Sequence, residues 1–84
     1  MNALQDLGAA VAARRQALGL KQQPVALQAG LSAESLSRFE RGRSAEFGSR
    51  KLLAVLAVLG MELQFVEVGA AGSLDELGRE RAKS

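Results

Sequence analysis

Residues 22–42 read QQPVALQAGLSAESLSRFERG, and this stretch decides the fold. Pro24 falls where a first helical turn would place it, since the N–H that proline lacks has no intrahelical partner there. A short helix over Gln22 to Ala29 is therefore predicted, stopped by Gly30. Ser32 can accept from the orphan N–H groups of the following turn. Behind it, Leu36 and Phe39 make an i, i+3 apolar pair, which predicts a second short helix over about 33–41. Arg41-Gly42-Arg43-Ser44 is a breaker followed by a polar loop, so the chain reverses there.

Upstream, Leu4, Leu7, Val11 and Leu18 recur at helical spacing and Gly19 follows them, giving a first helix over about 3–18. Downstream, a further helix starts near Ser49. Leu52 to Leu59 has no polar side, which in so small a chain implies burial on more than one face. After Gly60 the period changes to two: Met61, Leu63 and Phe65 alternate with Glu62 and Gln64, and the run to Val68 reads as a strand. A lone strand has nothing to pair with, so the expectation is a two-fold dimer whose strands pair antiparallel. Leu52, Val55, Leu56, Leu59, Leu63, Phe65, Val66 and Val68 are the expected interface. Gly69 to Gly72 reads as a flexible link. Ser73-Leu74-Asp75-Glu76 has capping-box spacing within a polar tail.

The chain has 84 residues, no cysteine and no histidine, which suits one small domain supported by helix packing or by a second copy, without disulfide or structural metal. Its net charge is +2, unevenly spread: residues 1–60 carry eight basic against four acidic residues, the remainder three against five. The start, MNALQDLG, has neither the basic region nor the long apolar run of a secretory signal, and a cytoplasmic protein is expected. No apolar run approaches the ~20 residues that cross a hydrocarbon core, so no membrane partner is expected. With no glycine-rich phosphate loop after a strand and no carboxylate cluster at metal-ligand spacing, no enzyme, cofactor or metal is expected either.

Two short helices joined by Ala29-Gly30-Leu31, the second capped by serine, can lay one helix across a nucleic-acid backbone and the next in the major groove, although many small bundles share such a turn. The segment Arg15 to Leu63 goes further, because it resembles the phage-repressor and Xre-type helix-turn-helix family. Gly19-Leu20-Lys21-Gln22-Gln23 is similar to the start of that family's helix 2, Ala26 to its small helix-contact position, and Gly30-Leu31-Ser32 to its turn. Leu36-Ser37-Arg38-Phe39-Glu40-Arg41-Gly42 is similar to the end of its recognition helix, and Leu52 to Gly60 to its final helix. The strand after Gly60 resembles the HipB-like branch, whose dimers share a small sheet and serve as antitoxins beside kinase-type toxins.

The resemblance implies a mostly α, lambda-repressor-like bundle of about five helices with one C-terminal β-strand pairing across a homodimer. Residues 1–60 would bind DNA, 61–68 dimerise, and 69–84 form linker and tail. The implied function is a sequence-specific repressor on a palindromic operator, acting as antitoxin and autoregulator beside a HipA-like kinase. The alternative is a free-standing phage-derived or restriction-controller-type regulator.

The implied DNA-binding residues are Gln22, Gln23, Ser32, Ala33, Glu34, Ser35, Ser37, Arg38, Arg41 and Arg43. Gln22 would meet a phosphate at the start of helix 2. Ala33, Glu34, Ser37 and Arg38 occupy base-facing positions; a guanidinium can bond guanine O6 and N7 together, whereas Glu34 could accept from cytosine N4 or serve as a helix-start residue. Arg41, Arg43, Arg50 and Lys51 suit phosphates, or solvent alone. Arg15 and Glu40 match a structural pair linking helix 1 to helix 3. Leu27 stands where the family has a polar residue, and lone exposed leucines are common.

Overall fold

A computed structural model describes residues 3–68. Four helices follow one another: α1 (Leu4–Ala17), α2 (Gln22–Ala29), α3 (Ala33–Glu40) and α4 (Ser49–Val58). Every helix closes in the same way. An N–H two or three residues past the helix end reaches back to a carbonyl five residues earlier: Leu20 to Arg15, Leu31 to Ala26, Arg43 to Arg38 and Met61 to Leu56. The residue before each of these donors is a left-handed glycine. At Gly30, φ is 79°, a conformation that a side chain disfavours, and this single residue sets the short turn between α2 and α3.

Each helix gives its apolar stripe to one core. Val11 comes from α1, Val25 and Ala26 from α2, Leu36 and Phe39 from α3, Val55 and Leu56 from α4, with Leu59 just beyond. Side chains of this size contribute roughly 1.5–3 kcal/mol each on full burial. Helix α3 packs on α1 and α2, and α2 packs on α4. Close approach of α1 to α3 depends on Gly8, which lies against the main-chain carbonyl of Phe39. Phe47, in the α3–α4 loop, stacks on Phe39 with ring centroids 4.0 Å apart and planes 9° from parallel. The Arg14 guanidinium donates to the Leu59 carbonyl at 3.0 Å, tying the end of α1 to the end of α4.

The described residues bear on several expectations. About five helices are expected and the described residues hold four; the capping box at Ser73 and the rest of 69–84 lie outside them. Residues 61–68 follow α4 without regular secondary structure, and among the described residues there is no strand and so no edge for that segment to pair with. Helix α4 does not bury all its faces: Leu53 is 52% exposed. Val55, Leu56 and Leu59, expected at a dimer interface, are covered by their own chain, since α4 turns that side towards α2 and the core. Of the expected interface residues, Leu63, Phe65, Val66 and Val68 are the exposed ones, and Leu52 is half-buried.

Candidate nucleic-acid interface

Helix α3 is only two turns long, so its two sides have separate tasks. At roughly 100° per residue, Leu36, Phe39 and Glu40 fall on one side and Glu34, Arg38 and Arg41 on the other. The first three are buried and the second three exposed. Ser35 and Ser37 flank the outer face, half-buried, and Ala33 lies closer to the core. Ser32 caps the helix, its hydroxyl oxygen accepting the Ser35 N–H at 3.0 Å. The outer face is thereby held rigid from its first residue.

The rigidity has a second source. Arg15 donates its Nε–H to Glu40 Oε2 at 2.8 Å and an Nη2–H to Oε1 at 2.9 Å, a two-pronged ion pair between α1 and α3. The third guanidinium nitrogen donates to the Leu20 carbonyl at 2.7 Å. Glu40 Oε1 also accepts from Gln22 Nε2 at 3.0 Å. One carboxylate therefore joins the C-terminal end of α1, the first residue of α2 and the last of α3. The Glu40 hydrogen bond holds the Arg15 guanidinium above its ordinary pKa, against the opposing effect of burial.

Gln22 is thus fixed from the protein side. Its amide carries two N–H donors, one of which serves Glu40, so one remains for another acceptor. The N-cap of α2 is Lys21, whose side chain makes no capping hydrogen bond to the first N–H groups, a setting that favours an anion. Gln23 is exposed beside it.

Arg41 and Arg43 are exposed past the end of α3, and the Arg41 Nε–H reaches the Ser37 carbonyl at 3.4 Å. Alongside α3 runs a groove of about 360 Å³, lined by Ser35 and Arg38 on one side and by residues 44–48 and Lys51 on the other. Arg50 and Lys51 are exposed on the first turn of α4. The structure brings Gln22, Arg15 and Glu40 together in one cluster, and sets Arg38 and Lys51 on one groove. Leu27 is 79% exposed on α2 and touches none of this.

Sequence reasoning passed over Gly8, Arg14 and Phe47. Phe47 carried a signal, a large apolar residue inside a polar loop. Gly8 carried another, an isolated glycine inside a helical pattern, which commonly marks close packing. Arg14 carried none, because its partner is a main-chain carbonyl 45 residues away.

Among the described residues, no helix is long and apolar enough to cross a membrane, and no group of three metal-ligating side chains is present. No curated protein matches the chain. The helix-turn-helix family model matches residues 11–66, from the middle of α1 to beyond α4. That span includes the Arg15–Glu40 pair, the Gly30 turn and the whole outer face of α3. Such domains are DNA-binding and regulatory, and in general not enzymes. The chain therefore belongs to the Xre-type helix-turn-helix family of DNA-binding transcriptional regulators.

Proposed function

We propose that this protein is a transcriptional repressor that binds an inverted-repeat operator as a homodimer, one α3 helix in each half-site. The observation that carries the reading is the outer face of α3, where Glu34, Arg38 and Arg41 are uncovered by their own chain and rigidly based on the Arg15–Glu40 pair. Gln22, Gln23 and the uncapped start of α2 meet one phosphate; Arg43, Arg50 and Lys51 meet others and set the register. Ser32, Ala33, Ser35 and Ser37 border the bases.

Dimerisation is supported by apolar surface that one copy leaves open. Phe65 is 97% exposed, Val66 76% and Val68 67%. In a two-fold assembly, segments 61–68 of two copies pair as antiparallel strands and cover one another. Residues 1–60 then form the DNA-binding unit, 61–68 the dimerisation strand and 69–84 the linker and tail. The two recognition helices stand about 34 Å apart, one turn of duplex.

The likeness of 61–68 to the HipB-like branch extends the proposal to an antitoxin that represses its own operon in the cytoplasm beside a HipA-like kinase. Solution mass at micromolar concentration tests the dimer, and a monomer contradicts it. Co-purification of a kinase with the chain expressed from its native operon tests the antitoxin role; recovery of the chain as a free regulator favours the free-standing alternative.

A further inference from the structure

We infer that Glu34 and Arg38 form a paired reader of one cytosine and one guanine in each half-site, with Glu34 acting mainly to exclude other bases. The inference deepens the operator reading above and rests on it. Both side chains are exposed on the outer side of α3. Among the described residues, neither has a hydrogen bond or an ion pair. They are one helical turn apart, with β-carbons about 5–6 Å from each other. Base pairs repeat every ~3.4 Å, so the two contacts fall one or two steps apart.

The chemistry selects the bases. An ionised carboxylate only accepts hydrogen bonds, and a guanidinium only donates them. In the major groove, guanine shows two acceptors, thymine an acceptor and a methyl group, and adenine an acceptor beside its amino donor. Cytosine alone shows a donor with no acceptor next to it. Glu34 is therefore repelled by guanine and thymine, only half matched by adenine, and best satisfied by cytosine. Arg38 finds its best match in the paired acceptors of guanine. Ala33 brings a methyl group and Ser37 a hydroxyl that both donates and accepts, so neither discriminates as sharply.

A carboxylate in the groove also faces the phosphates, which lowers affinity for every duplex. Glu34 thus weakens non-specific binding more than it weakens binding at the matched site, where cytosine compensates. Removing its charge should raise affinity for random DNA while blurring the choice of base. A residue with a purely structural role at the helix start would not move those two quantities in opposite directions.

The test is selection of bound sequences from a random duplex pool, using the full chain and the Glu34→Gln variant, with melting curves to establish that both are folded. The wild type is expected to enrich an inverted repeat whose half-sites hold a cytosine and a guanine within two steps. Glu34→Gln should replace that cytosine by adenine, whose N6 and N7 match an amide, and keep the guanine. The change in base preference should be roughly five- to a hundredfold, the size of one good base contact. The variant should also bind random duplex more tightly. An unchanged cytosine in the variant's pool overturns the inference alone. A wild-type pool with no enriched repeat overturns the operator reading beneath it as well.

Discussion

Gly8 of α1 lies so close to the main-chain carbonyl of Phe39 on α3 that a β-carbon at position 8 has no room. The atoms opposing it are backbone, which a rotamer change cannot move aside. Gly8→Ala gains about 1 kcal/mol of helix propensity and meets overpacking that costs typically 1–3 kcal/mol, more where the neighbour is rigid. Overpacking wins here. The expected outcome is a melting temperature lower by roughly 5–15 °C, given about 4–8 °C per kcal/mol in a domain of this size. DNA binding should weaken in the same variant, because α3 must shift off α1.

In the Arg15–Glu40 pair the carboxylate is buried and the guanidinium partly so, with side-chain exposures of 3% and 11%. Glu40→Ala leaves a desolvated guanidinium and the Gln22 amide without their acceptor. Breaking such a pair costs about 3–5 kcal/mol, which is a large part of the stability of a small domain. Denaturant unfolding should show Arg15→Ala with Glu40→Ala to be less destabilised than the sum of the two single variants. Strict additivity would mean that the contact contributes nothing.

The pH dependence follows from the direction of one shift. The folded pKa of Arg15 lies above its ordinary value, so its contribution is fully present below the unfolded pKa and is lost only as pH rises through the folded one. That window is strongly alkaline. The chain has no histidine to titrate near neutrality. Melting temperatures measured from pH 6 to 9 should therefore change little, whereas a sharp transition near neutrality would contradict this assignment.

How much of this was legible in the residues depends on the range of each interaction. The Gly30 turn, the Ser32 cap and the Leu36–Phe39 stripe are local, and the chain writes them out in order. The orientation of Leu52 to Leu59 is less legible, for the opposite reason. An apolar run gives no orientation by itself, and only the packing of α4 shows that Val55, Leu56 and Leu59 turn inward while Leu53 stays open. Glu40 was legible as a partner of Arg15 through family resemblance, but its third contact, with Gln22, is visible only once three segments meet. The strand expected at 61–68 needs an edge to pair with, and the described residues of one chain hold none.

Arg38 and Arg43 separate base reading from phosphate contact. Both are exposed, yet Arg38 is central on the outer face of α3 and Arg43 lies past its end. Arg38→Ala should lower specific affinity by roughly five- to a hundredfold and affinity for random duplex far less. Arg43→Ala should lower both alike and reduce the slope of log affinity against log salt by about 0.9. Gel-shift titrations at several salt concentrations measure all four quantities; equal losses for both variants on both duplexes would remove the distinction.

The outer face of α3 is proposed as the surface that meets DNA. Titrating isotopically labelled full-length protein with the selected duplex, while following each backbone amide by NMR, tests it most directly. Shifts should concentrate at residues 21–23 and 32–43, with the amides of the middle of α1 little changed. Shifts clustered elsewhere, with α3 unaffected at saturation, would contradict it.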